Sequence, residues 1–420
     1  MKIIHVNHSD TIGGAARAAY RIHRSLVVSG VDSHMRVLRK DTDDASVTGG
    51  FGRNSSKIAR FVAGRIAARA HRNFRPADQS LHSVASCSSG LAKEINSAAP
   101  DVVHLHWTTG GALSVEEIGR LAGPVVWTLH DMWGFSGAEH YTDDGPTSRF
   151  RVGYHKSNVP AEESSNDLNR STWNRKVKNW KRPAHIVCPS RWLAECAKAS
   201  RLFAAWPVTV IPYPIDLDVW RPLRKEVARE LLGLDPEANV VLMGAFGGLA
   251  DPRKGGDLAI AALRSLVGTG SEADQLLVFG QSAAAPHSSE SFPLPARFLG
   301  RIHDDLTMAI AYSAADVMLV PSRQDNLPNT AIEALACGTP VAGFSVGGMT
   351  DIVQHGDTGW LAKPFDIADL AAGISWALSR KGTDCELRRR CRDSAVAKFS
   401  PNEVAMQYVN VYREACRARL

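Results

Sequence analysis

Between residues 321 and 353 the chain reads PSRQDNLPNTAIEALACGTPVAGFSVGGMTDIV, and two carboxylates in it, Asp325 and Glu333, stand eight residues apart. Asp325 falls in a polar loop, 321–329, that follows the apolar run 317–320. Glu333 falls on the first turns of a short helix predicted to be capped by Asn329 and to end at Gly338. Their settings give them different chemistry. A carboxylate on a helix can accept both hydroxyls of a ribose. A carboxylate in a loop can hold sugar hydroxyls or steady positive charge at a sugar carbon. The loop, the first turn of that helix and the Gly347-Gly348 turn before the next one also present backbone N–H groups. Such groups bind phosphate, because the helix dipole places about half a positive charge at the N-terminus. Taken alone, the two acids fit equally a plain loop carboxylate and a first-turn helix acid.

The elements that must position these groups follow an α/β rhythm. With 420 residues the chain is too long for one core, since cores stop growing at roughly 250–300 residues, so two domains are expected. It opens with a strand at 3–7, a loop containing Gly13-Gly14 and a helix to about Val28. Apolar runs at 102–105, 125–129, 186–188 and 208–211 read as buried parallel strands. Ile211-Pro212-Tyr213-Pro214 interrupts the pattern and places the domain junction near 216–222. Strands are then expected at 240–245, 276–280, 298–300, 317–320 and 341–344, with a loop and helix over 255–267. Two successive βα series imply two Rossmann-like lobes, with ligands at the carboxyl ends of the strands. Val404, Tyr408, Val411 and Tyr412, at i, i+4, i+7 and i+8, predict a closing amphipathic helix.

Composition removes other classes. Hydrophobic content of 44% with 22% charged residues excludes a disordered or fibrous chain. No apolar run approaches the 18–20 or so residues of a membrane span, and the start is not that of a secretory signal, so a cytoplasmic protein is expected. Seven scattered cysteines without a C-x-x-C pair fit free thiols rather than a disulfide framework or zinc site. Residues 1–205 carry 28 Lys+Arg against 18 Asp+Glu, a balance of +10, whereas the rest balances at −4. Anionic lipid, a phosphorylated acceptor or nucleic acid each suits the basic half. Residues 53–75 hold seven basic residues and no acid, and read either as a solvated helix or as a peripheral docking element for an anionic membrane, on its inner face. The stretch Arg170, Trp173, Arg175, Lys176, Lys178, Trp180, Lys181, Arg182 reads either as an acceptor platform or as core packing with solvated charge. Cys337, near Glu333, reads as small core filler.

The 321–353 stretch closely resembles the carboxylate-x7-carboxylate signature of family 4 retaining glycosyltransferases, and the resemblance covers nearly the whole chain. Gly13-Gly14-Ala15-Ala16-Arg17 resembles the family's opening Gly-rich loop, and Thr128-Leu129-His130-Asp131-Met132-Trp133 its His-containing loop. Ile211-Pro212-Tyr213-Pro214-Ile215-Asp216 resembles its interdomain segment, and Asp251-Pro252-Arg253-Lys254-Gly255 its phosphate-binding Lys-Gly loop. The fold this implies is α/β, GT-B: two Rossmann-like parallel-sheet lobes facing a central cleft, with a C-terminal helix packing back on the N-terminal lobe. The domains implied are an acceptor-side one at 1–215, a nucleotide-sugar-binding one at 216–400 and a crossover helix at 401–420.

The resemblance also implies roles. Lys254 and Arg253 would neutralise the donor's diphosphate and stabilise the leaving group. Glu333 would hold the ribose, and Asp325 would face the donor sugar, near the amides of Asn326 and Leu327. Asn329, Thr330 and Arg301 complete the implied donor-binding set, and His130 would hydrogen-bond the sugar or acceptor. Gly13 and Gly14 would let the backbone approach the phosphate. No cofactor and no metal are expected. Asp216-Leu217-Asp218 follows the junction and is not a manganese motif at a strand end. The implied partners are a nucleotide-sugar donor, UDP- or GDP-linked, and a saccharide or lipid-linked saccharide acceptor, with no nucleic acid. The implied setting is cell-surface polysaccharide or glycoconjugate synthesis.

Two positions depart from the family pattern, Asp325 where Glu is usual and Leu249 where many relatives carry Arg. The region after His130, with His140-Tyr141, resembles a subgroup of polysaccharide-assembly transferases that often carries cysteines there, and this chain has none between Cys87 and Cys188. Two rival functions stay open. One is a sugar-nucleotide epimerase or hydrolase on the same scaffold, and the other a non-catalytic sugar-nucleotide or nucleic-acid binder.

Overall fold

The computed structural model describes residues 1–50, 80–163, 167–244, 251–268, 273–280, 292–380 and 384–418. The basic stretch at 53–75 and Leu249 lie outside these residues. The chain divides into two compact units, one formed by Met1–Tyr213 with Asn402–Leu420 and the other by Pro214–Pro401.

The first unit is built on a parallel sheet. Its strands are β1 (Lys2–Ser9), β2 (Asp32–Arg39), β3 (Val47–Gly49), β4 (Val102–Leu105), β5 (Val125–Thr128), β6 (His185–Cys188) and β7 (Val208–Val210). They lie in the order β3-β2-β1-β4-β5-β6-β7, so the direction of winding reverses between β1 and β4. The apolar runs at 102–105, 125–129 and 186–188 form the middle of this sheet, buried as parallel strands between helices must be. The run at 208–211, also expected to be buried, supplies instead the edge strand β7, which is only partly covered. The strands β2 and β3 were not anticipated. In β2 exposed and buried residues alternate, and Met35 and Val37 alone of its apolar residues are fully buried. Such half-polar strands lack the continuous apolar signal. The core beneath the sheet joins Ile4, Val6, Leu105, Trp127, Trp133, Phe135, Trp180 and Phe203.

The second unit repeats the logic with β8 (Val240–Gly244), β9 (Gln275–Phe279), β10 (Ala296–Gly300), β11 (Val317–Val320), β12 (Val341–Phe344) and β13 (Gly359–Ala362). The order is β10-β9-β8-β11-β12-β13, all parallel, and the winding reverses between β8 and β11. Thus the fold is α/β with two Rossmann-like parallel-sheet lobes, as expected.

The closing helix, Pro401–Arg417, belongs to the first unit from Asn402 onward. Its buried side chains include Val404, Tyr408, Val411 and Tyr412, the periodic residues of the sequence. Two phenols anchor it. Tyr412 Oη is 2.7 Å from His104 Nδ1 on β4, and Tyr408 Oη is 3.0 Å from Thr128 Oγ1 on β5. Replacing Tyr412 with Phe leaves a buried imidazole nitrogen unpaired and should cost about 1–3 kcal/mol. Urea unfolding followed by tryptophan fluorescence would show it. An unchanged midpoint would mean that the phenol carries no part of the docking.

Candidate active site

In the second unit the site is assembled from loops on either side of the β8/β11 reversal, where an open α/β sheet leaves a crevice at its carboxyl edge. From the β8 side comes a short 3-10 turn, Pro252–Lys254, capped by the Asp251 side chain. It ends at Gly255, whose φ of +68° suits glycine and whose missing Cβ would lie 2.0 Å from the Pro321 carbonyl oxygen. Only glycine lets this turn lie against the β11 loop. Arg323 completes the seam. It donates from both Nη atoms to Asp257, at 2.7 and 2.6 Å, and its amide donates to the Arg253 carbonyl at 2.8 Å.

This seam brings Lys254 to Asp325. The Lys254 ammonium donates to Asp325 Oδ2 at 2.5 Å, and Arg253 Nη1 stands 3.9 Å from the same oxygen. Burial alone would push the Asp325 carboxyl up. The charges of Lys254 and Arg253, the Lys254 hydrogen bond and the Asn326 amide outweigh that and hold it below its ordinary range. Asp325 is therefore an anion in a nearly enclosed place. Its backbone is pinned as well, because its carbonyl accepts from the Gly348 amide at 3.1 Å and packs where a Cβ on Gly347 would sit.

The two cations are not equivalent. Arg253 spends its guanidinium on the loop itself, with Nη2 on Asp251 at 3.1 Å and Nη1 on the Gln324 carbonyl at 3.1 Å. Among the described residues the Lys254 ammonium makes one hydrogen bond. Two of its three N–H groups are thus available to a ligand.

Glu333 lies on the helix Asn329–Ala336, is 4% exposed, and accepts from Tyr312 Oη at 3.0 Å. The helix corrects one expectation: its N-cap is Pro328, and Asn329 is the first helical residue rather than the cap. Proline's fixed φ presets that entry, and its carbonyl accepts from Ala331 and Ile332. Asn326 and Leu327 have buried side chains, whereas Asn329 and Thr330 are half-buried on the first turn. Arg301 follows β10, the outer strand, with an exposed side chain. Cys337 is buried, and burial pushes its thiol well up, as suits a core residue.

In the first unit Gly13, at φ +88°, forms the N-cap of the helix Gly14–Val28 after β1. His130 follows β5 and is 9% exposed. Both of its ring nitrogens are engaged: Nδ1 with Tyr213 Oη at 2.8 Å and Nε2 with His106 Nδ1 at 3.1 Å. Asp131 beside it accepts from the Trp133 amide (2.9 Å), Trp107 Nε1 (3.1 Å) and His140 Nδ1 (2.6 Å). His106, Trp107, Thr109, His130, Asp131 and His140 line a cavity of about 10 Å³, room for one water-sized sphere. His106 was not singled out in the sequence, because a lone histidine near a strand carries no pattern of its own.

In the basic, Trp-bearing stretch Lys178, Lys181 and Arg182 are exposed and Trp180 is buried, as core packing with solvated charge requires, but Lys176 corrects that reading at one position. The Lys176 ammonium is fully buried and donates to the carbonyls of Trp133, Ser136 (3.2 Å) and Gly137 (2.7 Å). Arg175 reaches Glu116 at 2.7 Å and the Val84 carbonyl at 2.6 Å, and Trp180 packs in the core. Lys176 thus braces the 131–140 segment, and Arg175 ties its helix to Glu116 and the 84–85 backbone.

Burial pulls the His130 imidazole down to about 4, against a small opposing pull from Asp131. His23 is also drawn to about 4 by burial, and burial takes His5, His104 and His106 well below the usual range. All are neutral at pH 7. Because the folded value lies below the unfolded one, the unfolded chain binds more protons between pH 6.5 and 4. Stability is then complete above about pH 6.5 and falls as pH falls, by up to roughly 3 kcal/mol for His130 alone. A calorimetric scan from pH 7.5 to 4.5 should show the first unit's melting temperature dropping. A flat profile would rule out neutral burial of these rings.

Two family models match the chain: one described as "Glycosyltransferase Family 4" over residues 12–219, and one as "Glycosyl transferases group 1" over residues 240–380. A protein of Segniliparus rotundus named D-inositol 3-phosphate glycosyltransferase is 35% identical over 200 residues, 44% of this chain and 40% of that protein. One of Geodermatophilus obscurus with the same name is 31% identical over 294 residues, 67% of this chain and 60% of that protein. The chain thus spans 40–60% of the length of these two relatives. Among solved structures, Anabaena HepE in complex with UDP superposes with a TM-score of 0.62 at 15% identity, over 99% of this chain and all of that one.

Proposed function

We propose, for a chain that belongs to the family 4 glycosyltransferases and has their GT-B fold, that it is a retaining, metal-independent enzyme. It would move a sugar from a nucleotide diphosphate donor to a hydroxyl of a saccharide or lipid-linked saccharide. The observation that carries this reading is the Lys254–Asp325 pair at the β8/β11 reversal, with Glu333 on the next helix. Lys254 supplies positive charge where a pyrophosphate leaves, the loop amides add theirs, and the Asp325 carboxylate steadies charge at the sugar carbon. Glu333 holds the ribose. In front-face transfer the bond from the anomeric carbon to phosphate oxygen breaks as the acceptor oxygen bonds to the same face. The departing phosphate takes the acceptor proton, so the protein need only position and stabilise. His130, neutral at pH 7, hydrogen-bonds the sugar or the acceptor once one of its two ring partners, Tyr213 or His106, gives way.

The HepE structures, which hold UDP, UDP with glucose, and UDP-glucose, favour a UDP-sugar over a GDP-sugar as donor. The relatives' name favours a second acceptor class, a phosphorylated cyclitol, which suits the basic first half of the chain. A melting-temperature panel of UDP-, GDP- and ADP-sugars tests the donor, since a true donor stabilises the folded state. The best donor is then incubated with saccharides, lipid-linked saccharides and D-inositol 3-phosphate, and the product's anomeric configuration is read by NMR. Inverted product would refute retention. Consumption of donor that never depends on an acceptor would move the chain to the hydrolases or epimerases.

A further inference from the structure

Three histidines, one within β1 and one just after each of β4 and β5, form a continuous buried hydrogen-bond chain in the first unit. His5 Nδ1 on β1 is 2.9 Å from His106 Nε2, after β4, and His106 Nδ1 is 3.1 Å from His130 Nε2, after β5. His130 Nδ1 then meets Tyr213 Oη at 2.8 Å. His5 is fully buried, and its Nε2 has no partner among the described residues. The His5 and His106 rings stack with centroids 5.2 Å apart.

A neutral imidazole donates from one nitrogen and accepts at the other. In such a chain each link fixes the next, so the three rings must all carry their proton on Nδ1 or all on Nε2. The end of the chain selects between the two. With protons on Nε2, His5 would bury an unpaired N–H; with protons on Nδ1, it buries an unpaired lone pair. Orphaned buried donors are the rarer and costlier of the two. We propose that His5 and His106 are positioning residues which lock His130 as its Nδ1–H tautomer, donating to Tyr213 and accepting at Nε2 from His106. Only a collective shift of all three rings would let His130 offer an Nε2–H to a sugar or acceptor hydroxyl. This rests on reading His130 as a substrate-contacting residue.

The same cluster has the ligand spacing of a metal site, since nitrogens of His5, His104 and His106 lie within 4.8 Å of one another. A metal would have to break bonds already made. His104 spends Nδ1 on Tyr412 Oη and Nε2 on Thr128 Oγ1, each at 2.7 Å, and both nitrogens of His106 are used.

The test is long-range 1H–15N NMR of the histidine-labelled full chain at pH 7, without donor. His5, His106 and His130 should each show a protonated Nδ1 and a bare Nε2. His5→Phe should free the chain, so that the His130 nitrogens average between tautomers. That variant should lose about ten-fold in kcat with donor KM unchanged, as supporting partners do elsewhere. His5→Gln, whose amide can donate to His106, should restore both. Mixed tautomers in the wild type, His130 signals unmoved in His5→Phe, or a stoichiometric zinc ion on the purified chain would each overturn the proposal. Should His5→Phe fail to fold, the wild-type spectrum still decides. Absent sugar transfer with the tautomers as stated would sink the enzymatic reading and leave the histidine chain standing.

Discussion

Replacing Lys254 with Ala should lower kcat for sugar transfer by about 10²–10³-fold, the usual cost of deleting one fixed donor aimed at developing negative charge. The choice of Lys254 over Arg253 is structural. Arg253 is tied to Asp251 and to the Gln324 carbonyl, so its guanidinium braces the loop before any ligand arrives. Among the described residues Lys254 holds one carboxylate oxygen, which leaves two N–H groups for a phosphate. Its removal also strips Asp325 of its nearest countercharge, leaving Arg253 at 3.9 Å, so part of the loss comes through the carboxylate. Arg253→Ala should therefore cost more melting temperature and less kcat than Lys254→Ala. Steady-state kinetics with the best donor, alongside melting curves, separates the two. A Lys254→Ala enzyme within ten-fold of wild type would show that the pyrophosphate is gripped elsewhere.

What the sequence made legible here follows from how each signal is written in a chain. β4, β11 and β12 sit at their predicted residues because a parallel strand covered on both faces needs an unbroken apolar run, and helices punctuate such runs clearly. β2 hid because its Asp32, His34, Arg36 and Arg39 interrupt the apolar signal, and β13 because it is a half-buried edge strand that opens on Gly359 and carries no β-branched residue. The same distinction governs the site. Asp325 and Glu333 share one loop and one helix, so eight residues of spacing place them on neighbouring elements. The His5–His106–His130 chain is drawn from three neighbouring strands, over residues up to 125 apart. No local window joins them; the β1-β4-β5 sheet order does. Lys176 misled for a related reason. On its helix it looks like a surface cation, and only the fold supplies the three carbonyls that make burying it tolerable.

Asp325 provides the sharper test, because its charge and its shape can be varied separately. Asp325→Asn keeps the size of the side chain and removes the charge. Lys254 and Arg253 then lose their buried counterion and should grip a pyrophosphate at least as well as before. Donor KM should therefore not rise, while kcat falls by about 10²-fold if the carboxylate steadies positive charge on the sugar carbon in the transition state. Asp325→Glu keeps the charge and adds one methylene, roughly 1.5 Å of reach. The backbone cannot retreat to accommodate it, pinned as it is by Gly347 and the Gly348 amide, so the side chain itself must fold back. That strain should cost kcat no more than about ten-fold, since the anion still meets Lys254. The Glu variant should thus outperform the Asn variant clearly, with both melting within a few degrees of wild type. Equal rates in the two would mean that the charge is unused in transfer. A rise in donor KM with kcat unchanged in the Asn variant would recast Asp325 as a binding group whose work is finished before the glycosidic bond breaks.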